Sequence, residues 1–165
     1  MADWTLSQGL ATIAELHEAN ERMRRCHGFK RAARVIRHAS PQAESPLESV
    51  SRAGMLDLGI DEPVLQPEVV DVHGRTRRAD FGWPRLGLLG ECDGRGKYER
   101  SEWTRGHSPA QVVWEEKQRE DALRAVGHDM VRWGWREAMT LPMLARVLGA
   151  KGLHPRHRRQ SPRAG

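Results

Sequence analysis

Aromatic rings other than tryptophan are nearly missing from this chain: one Tyr and two Phe stand beside six Trp in 165 residues. Hydrophobic residues reach only 38%, against 30% charged, so the core is small and the surface polar. No apolar run approaches the roughly 20 residues that span a bilayer. The opening Met1-Ala2-Asp3-Trp4-Thr5 lacks a basic segment followed by an apolar one, so no signal peptide is expected. The two cysteines, Cys26 and Cys92, have neither C-x-x-C nor disulfide spacing; they read as buried small hydrophobes in a reducing cytoplasm. The eight His form no H-E-x-x-H and no H-x-E with C-x-x-C, which argues against zinc. There is no G-x-S-x-G nucleophile motif. The length suits one domain and excludes a two-domain dinucleotide enzyme or a full (β/α)₈ barrel.

What is present in excess is positive charge, +5 in sum, but it is unevenly placed. Lys151, Arg156, Arg158, Arg159 and Arg163 follow one another with no acid, while residues 1–150 are balanced. Residues 150–165 carry no periodic pattern and are expected to form a disordered basic tail. It raises local nucleic-acid concentration at most.

Periodicity and punctuation outline the rest. Residues 5–26 read as a helix closed by Gly28, and residues 29–39 as a second, basic helix. Ser45-Pro46-Leu47-Glu48 opens a third helix with Ser as N-cap, Pro at N1 and Glu at N3, running to Leu58. Val64 to Val70 is a strand candidate with Pro67 marking an edge or bulge. His73-Gly74-Arg75 turns the chain, and Arg77 to Trp83 returns it. Leu86 to Cys92 reads as a central strand. Ser108-Pro109 opens a helix to Val126, Met130 to Trp133 is a short strand, and Leu141 to Leu148 a closing helix. The implied architecture is α/β: helix, three strands, crossover helix and strand, with extra N-terminal helices. The expected divisions are a helical extension over 1–40, a core domain over 41–149 and the tail.

Three acids fall close together in this outline. Asp80 sits in one strand; Glu91 and Asp93 end the next, two residues apart and so on one side. Gathered carboxylates repel unless a positive group lies between them, and hard oxygens suit Mg²⁺ or Mn²⁺. Asp80 and Asp93 capping turns is the plainer alternative. Glu48 adds a helix acid whose plainer role is completing the capping box.

The runs Ala43-Glu44-Ser45-Pro46-Leu47-Glu48-Ser49, Arg78-Ala79-Asp80-Phe81-Gly82-Trp83-Pro84 and Glu91-Cys92-Asp93-Gly94 resemble an endonuclease-like domain found in actinobacterial proteins. That group, the domain of unknown function numbered 559, is akin to the very-short-patch-repair nucleases of the PD-(D/E)xK superfamily. Lys97-Tyr98, residues 115–121, Gly127 and Val131-Arg132-Trp133 extend the resemblance over residues 10–148. The resemblance implies a restriction-endonuclease-like core and metal-dependent hydrolysis of DNA phosphodiesters. It assigns metal binding to Asp80, Glu91 and the Cys92 carbonyl, and to Glu48 the role of a helix acid that orients the attacking water. Where the superfamily has a catalytic lysine this chain has Asp93, a substitution that recurs in the resembling group. Lys117 on the crossover helix and Lys97 in the preceding loop are the candidates to replace it. Domains of this group often follow an antitoxin-like winged helix, for which these 165 residues leave no room at the usual length. A non-catalytic DNA-binding or antitoxin-type regulator keeping the fold is the alternative.

Trp83, Trp114, Trp133 and Trp135 are expected in the core or half-buried. Trp103, in a loop near the acids, is a candidate for stacking on a base. Arg24, Arg25, Lys30, Arg31, Arg34 and Arg37 form a basic helical region, with Arg34 and Arg37 the candidate phosphate contacts.

Overall fold

The computed structural model describes residues 1–94 and 109–155. Two compact units divide the chain, Met1–Ser49 and the portion from Val50 onward, and the division falls inside a helix rather than at residue 40.

In the first unit, α1 (Ala2–Ser7), α2 (Ile13–Arg22) and α3 (Phe29–Arg37) replace the two helices expected over 5–39. The expected helix over 5–26 breaks because Gly9 adopts φ +64°, a left-handed value open to glycine. Thr12 then restarts the chain with a capping box: its side chain accepts from Glu15 N–H, and the Glu15 carboxylate accepts in turn from the Thr12 N–H at 2.7 Å. Packing joins α2 to α3. The first turn of α4 (Pro46–Leu58) completes this unit.

The second unit holds the sheet. Its strands are β1 (Val64–Leu65), β2 (Glu68–Val70), β3 (Thr76–Arg78), β4 (Phe81–Trp83), β5 (Leu88–Asp93) and β6 (Asp129–Gly134). The two arms expected as long strands each break in the middle, at Gln66-Pro67 and at Ala79-Asp80. Pro67 offers no N–H to a ladder, and Gln66 turns to φ +49°. The result is a two-stranded ribbon, β2 with β3, and a separate four-stranded sheet ordered β1-β4-β5-β6. The ribbon turns at His73-Gly74-Arg75 as the sequence indicates. Strand β4 is antiparallel to β5, while β6 is parallel to β5, joined to it by the crossover helix α5 (Pro109–Arg124).

Alternation along β5 divides its side chains between two layers. Leu89 faces α5, forming a core cluster with Ala79, Leu123 and Met130. The other face carries Gly90 and Cys92, with Phe81 and Trp133 stacked at 5.4 Å between ring centroids. A side chain at Gly90 would stand 2.9 Å from Trp133 and 3.0 Å from Trp83, so the glycine is there to admit two indoles. The Trp133 indole N–H donates to Ser51 Oγ at 2.8 Å, tying α4 to this layer. Helix α7 (Leu141–Gly149) follows the short α6 (Trp135–Ala138) and inserts Leu144 against Gly54.

Three expectations change here. The chain remains ordered past Gly149: Lys151 pairs with Asp129 at 2.6 Å and Leu153 is buried. Both interactions are invisible to periodicity because each depends on partners far away in sequence. Residues 156–165, and with them the tail arginines, lie outside the described residues. Trp114 is 59% exposed rather than packed, and Trp135 is also exposed. Cys92 is buried as expected, but Cys26, at the α2–α3 turn, is exposed. Among the described residues no helix is long and apolar enough to cross a membrane.

Candidate functional site

Asp80 lies just outside β4, in the break that separates it from β3. Its backbone carbonyl still accepts the Gln66 N–H at 3.1 Å, while its carboxylate reaches across to β5: Oδ2 accepts the Cys92 N–H at 2.9 Å and the Cys92 thiol at 3.4 Å. Oδ1 has no partner among the described residues. Alternation along the expected strand pairs Asp80 with Glu91; in the structure its carboxylate bonds Cys92 instead.

Glu91 points to the opposite layer. It stands in register with Arg132 across the parallel β5–β6 pair. Its Oε2 accepts from Arg132 Nε at 3.1 Å, and its Oε1 is bound by Arg119 from α5. Glu116 closes the network, receiving Arg119 at 3.0 Å and a second bond from Arg132. Glu120 adds a longer ion pair with Arg132 at 3.6 Å. Burial alone would raise the Glu116 carboxyl, but bonding to Arg119 and the nearby Arg132 lower it below the ordinary carboxylate range. Burial likewise works against the charge on Arg119 and Arg132. Hydrogen bonds to Glu116 and Glu91 outweigh it at Arg119, and the charges of Glu116, Glu91 and Glu120 at Arg132, so both guanidiniums stay protonated.

Asp80 and Cys92 are therefore brought together, and Glu91 is held apart from them by two arginines. Asp93 lies half-buried at the end of β5, on the Glu91 side, with no partner for its carboxylate among the described residues. Lys117 is exposed; the α5 positions turned to the sheet are Glu116, Arg119, Glu120 and Leu123, so Arg119 occupies the place for which Lys117 was the candidate. Lys97 and Trp103 lie outside the described residues. Glu48, in the first unit, is buried, with its N–H on Ser45 Oγ at 3.2 Å. Its Oε2 accepts from the Glu44 N–H at 2.9 Å, one residue before the cap. Arg34 and Arg37 stand exposed on α3.

Sequence reading missed Arg119 and Arg132. Their signal was present: Arg132 interrupts an otherwise apolar strand, and Glu116, Arg119 and Glu120 share one helix face by i, i+3 and i, i+4 spacing. It also missed Asp71, buried at the β2–β3 turn. Burial by itself would raise this carboxyl. The Arg77 Nε bond at 2.7 Å, with backbone N–H bonds from Arg75 and His73, holds it down at about 2.

A metal or catalytic role requires donors not already neutralised. Asp80 fits: one oxygen is oriented by a backbone N–H and the other is open. Mg²⁺ is commonly held by one or two carboxylates with water and substrate phosphate completing its shell, so Asp80 with the Cys92 carbonyl is a chemically adequate protein share. The Cys92 thiol beside it is a softer donor that Mg²⁺ does not use and Mn²⁺ tolerates better. A groove of about 550 Å³ lined by Ile60, Asp61, Trp83, Arg85 and Leu153 contains neither Asp80 nor Glu91.

The architecture is that of a mixed α/β protein with one parallel crossover. No family model matches the chain, and no solved structure matches it. Two Mycobacterium tuberculosis proteins are similar to it: uncharacterized protein Rv2248 (strain ATCC 25618 / H37Rv) and uncharacterized protein MT2308 (strain CDC 1551 / Oshkosh). Each is 32% identical over 118 residues, which is 72% of this chain. The chain spans 40% of the length of these relatives.

Proposed function

We propose that this protein is a metal-dependent endonuclease of the restriction-endonuclease-like class, acting on DNA phosphodiesters with Mg²⁺ or Mn²⁺. The observation that carries the reading is Asp80: a carboxylate just before β4, oriented through one oxygen by the Cys92 N–H, with no partner for the other oxygen among the described residues. The element order from α4 through β6 also agrees with the core that the sequence resemblance implies.

A divalent ion at such a site lowers the pKa of water and offsets charge on the scissile phosphate. Asp80 anchors it, and the Cys92 carbonyl offers a second oxygen. The resemblance gives Glu48 the part of the helix acid. Asp93 keeps a carboxylate where a lysine is usual, so proton transfer from water falls to another group, with Lys97 the remaining lysine candidate.

A second reading, a non-catalytic DNA-binding regulator that keeps the fold, is favoured by Glu91: its charge is already balanced by Arg119 and Arg132. One assay separates the two. Purified protein is incubated with supercoiled and single-stranded DNA in Mg²⁺, Mn²⁺ or EDTA, beside Asp80→Ala and Glu91→Ala. Metal-dependent cleavage lost in Asp80→Ala supports the nuclease; cleavage that survives it refutes the assignment. DNA binding without cleavage on either substrate favours the regulator.

A further inference from the structure

The ribbon of β2 and β3 stands apart from the four-stranded sheet and turns at His73-Gly74-Arg75. Asp71 holds that turn. Its side chain is fully enclosed. Oδ1 accepts the His73 N–H at 2.9 Å and the Arg75 N–H at 3.0 Å, and Oδ2 accepts from Arg77 Nε at 2.7 Å. The Asp71 N–H donates to the Arg75 carbonyl at 2.9 Å, and the Val72 N–H ties the turn to the Ala122 carbonyl of α5 at 3.3 Å. The tip is held firmly, yet it projects: a side chain at Gly74 would meet nothing within 4 Å. His73 and Arg75 are exposed, and neither side chain has a hydrogen-bond or ion-pair partner among the described residues.

Register sorts the two faces of the ribbon. Val69 and Arg77, paired across the strands, are half-buried, and Val69 packs on the core cluster. The opposite face turns outward, with Glu68 across from Arg78 and Val70 across from Thr76. All four are exposed, Val70 at 58%. From Val72 to Ala79 the chain carries three arginines and no acid. Asp71 compensates Arg77, and Glu68 faces Arg78 with opposite sign, so the excess charge lies at Arg75, on the tip. A firmly held ribbon that presents a cation at its end and a valine on its outward face is shaped for an anionic groove outside its own fold.

We infer that the outward face of the β2–β3 ribbon docks in the major groove of duplex DNA, with Arg75 on a backbone phosphate. Paired strands about 4.8 Å apart, with their side chains, match a groove about 12 Å wide and are too broad for a minor groove of about 6 Å. Duplex RNA fits less well, because its major groove is deep and narrow. Single strands fit less well too: their binders stack bases on aromatic rings, and residues 68–78 contain no Phe, Tyr or Trp. Val70 supplies the kind of apolar contact that meets a thymine methyl, and Thr76 a hydroxyl for a base edge or a phosphate. The chain continues from β3 into Ala79 and Asp80. Arg75 therefore lies at most about 16 Å from Asp80, the axial span of about five nucleotides of one strand. The placement of that duplex beside a cleavage site rests on the function proposed above; the docking itself does not.

The test uses the full chain in EDTA, so that cleavage plays no part, with a labelled mixed-sequence DNA duplex, its separated strand and an RNA duplex of the same sequence. Binding is measured against salt for the wild type, Arg75→Gln, Arg75→Lys and Val70→Lys, and circular dichroism checks the fold of each variant. One cation–phosphate pair contributes about 0.9 to the slope of log K against log salt on duplex DNA. Arg75→Gln should be shallower by about that amount, Val70→Lys steeper by about that amount, and Arg75→Lys unchanged. Binding to the separated strand should respond to none of the three. Should Val70→Lys not fold, Arg75→Gln against Arg75→Lys carries the test. An unchanged slope in Arg75→Gln, or in folded Val70→Lys, overturns the inference. Equal shifts on the separated strand overturn it too, as does tighter binding to the RNA duplex than to DNA. Failure of the nuclease reading registers separately, as absence of cleavage when Mn²⁺ is restored while the slopes still shift.

Discussion

The two faces of β5 treat their acids in opposite ways. On the α5 face Glu91 is enclosed by Arg119 and Arg132, with Glu116 completing an alternating-sign network. On the other face Asp80 meets a thiol and a backbone N–H, with no cation paired to it among the described residues. A balanced charge cluster at Glu91 of β5 thus contrasts with an unbalanced carboxylate at Asp80, in the segment that leads into β4. Balance is the mark of a structural role, because the guanidiniums offset desolvation only while all partners are present. At Asp80 the charge is met only by the Cys92 N–H and thiol, and the proposed chemistry rests on that remaining imbalance.

The largest expected effect tests the open side. Asp80→Asn keeps the shape and removes the charge. If the proposed chemistry holds, DNA cleavage in Mn²⁺ falls by at least about 10²-fold, the equivalent of several kcal/mol of transition-state stabilisation, while the urea midpoint barely moves. A large drop in stability with activity retained would invert the comparison.

Glu91→Gln tests the balanced side. Leaving Arg119 and Arg132 half-buried with a neutral partner costs about 1–2 kcal/mol in urea unfolding, below the roughly 3–5 kcal/mol of a fully buried pair because these groups stay partly hydrated. An unfolding free energy unchanged within error would deny the network its structural role.

A third acid, Asp71, extends the balanced class and gives it a pH signature. Its folded pKa of about 2 lies below the unfolded value of about 3.9. Its stabilising contribution is therefore complete above about pH 4 and is lost as pH falls towards 2. Asp71→Asn should flatten the acid limb of stability measured between about pH 2 and 6, relative to wild type. An unaltered acid limb would mean that Asp71 titrates alike in both states.

The smallest effect concerns Asp129 and Lys151, a balanced pair nearer the surface. Bonding to Lys151 lowers the Asp129 carboxyl. Lys151→Ala should cost under about 1 kcal/mol by thermal unfolding, diminishing in high salt. A larger, salt-independent effect would show that the segment after α7 contributes more through Leu153 and its backbone than through this pair.

Legibility followed the range of the forces involved. Capping of α4 by Ser45 and Pro46, the glycine-bearing turn at 73–75, the crossover order β5-α5-β6 and the buried face of β5 were all readable, because each depends on residues within a few positions. The basic region from Arg24 to Arg37 was equally readable from composition. The acids around β5 were found by sequence but not their partners: alternation set Asp80 with Glu91, whereas its carboxylate bonds the Cys92 N–H and Glu91 bonds Arg119 and Arg132. Pro67 announced the break in the facing arm, but nothing local placed the one at Ala79-Asp80.

By itself, then, the sequence determined the element types, the charge asymmetry and the supply of carboxylates, which are properties of neighbours along the chain. The tertiary structure alone decided which carboxylate is neutralised. Arg119 and Arg132 approach Glu91 from 28 and 41 positions away, brought there by the parallel pairing of β5 with β6 and the packing of Leu123 of α5 against Leu89 and Met130. Charge compensation falls off with distance in space, not along the chain, so only the fold could separate the structural acid from the open one.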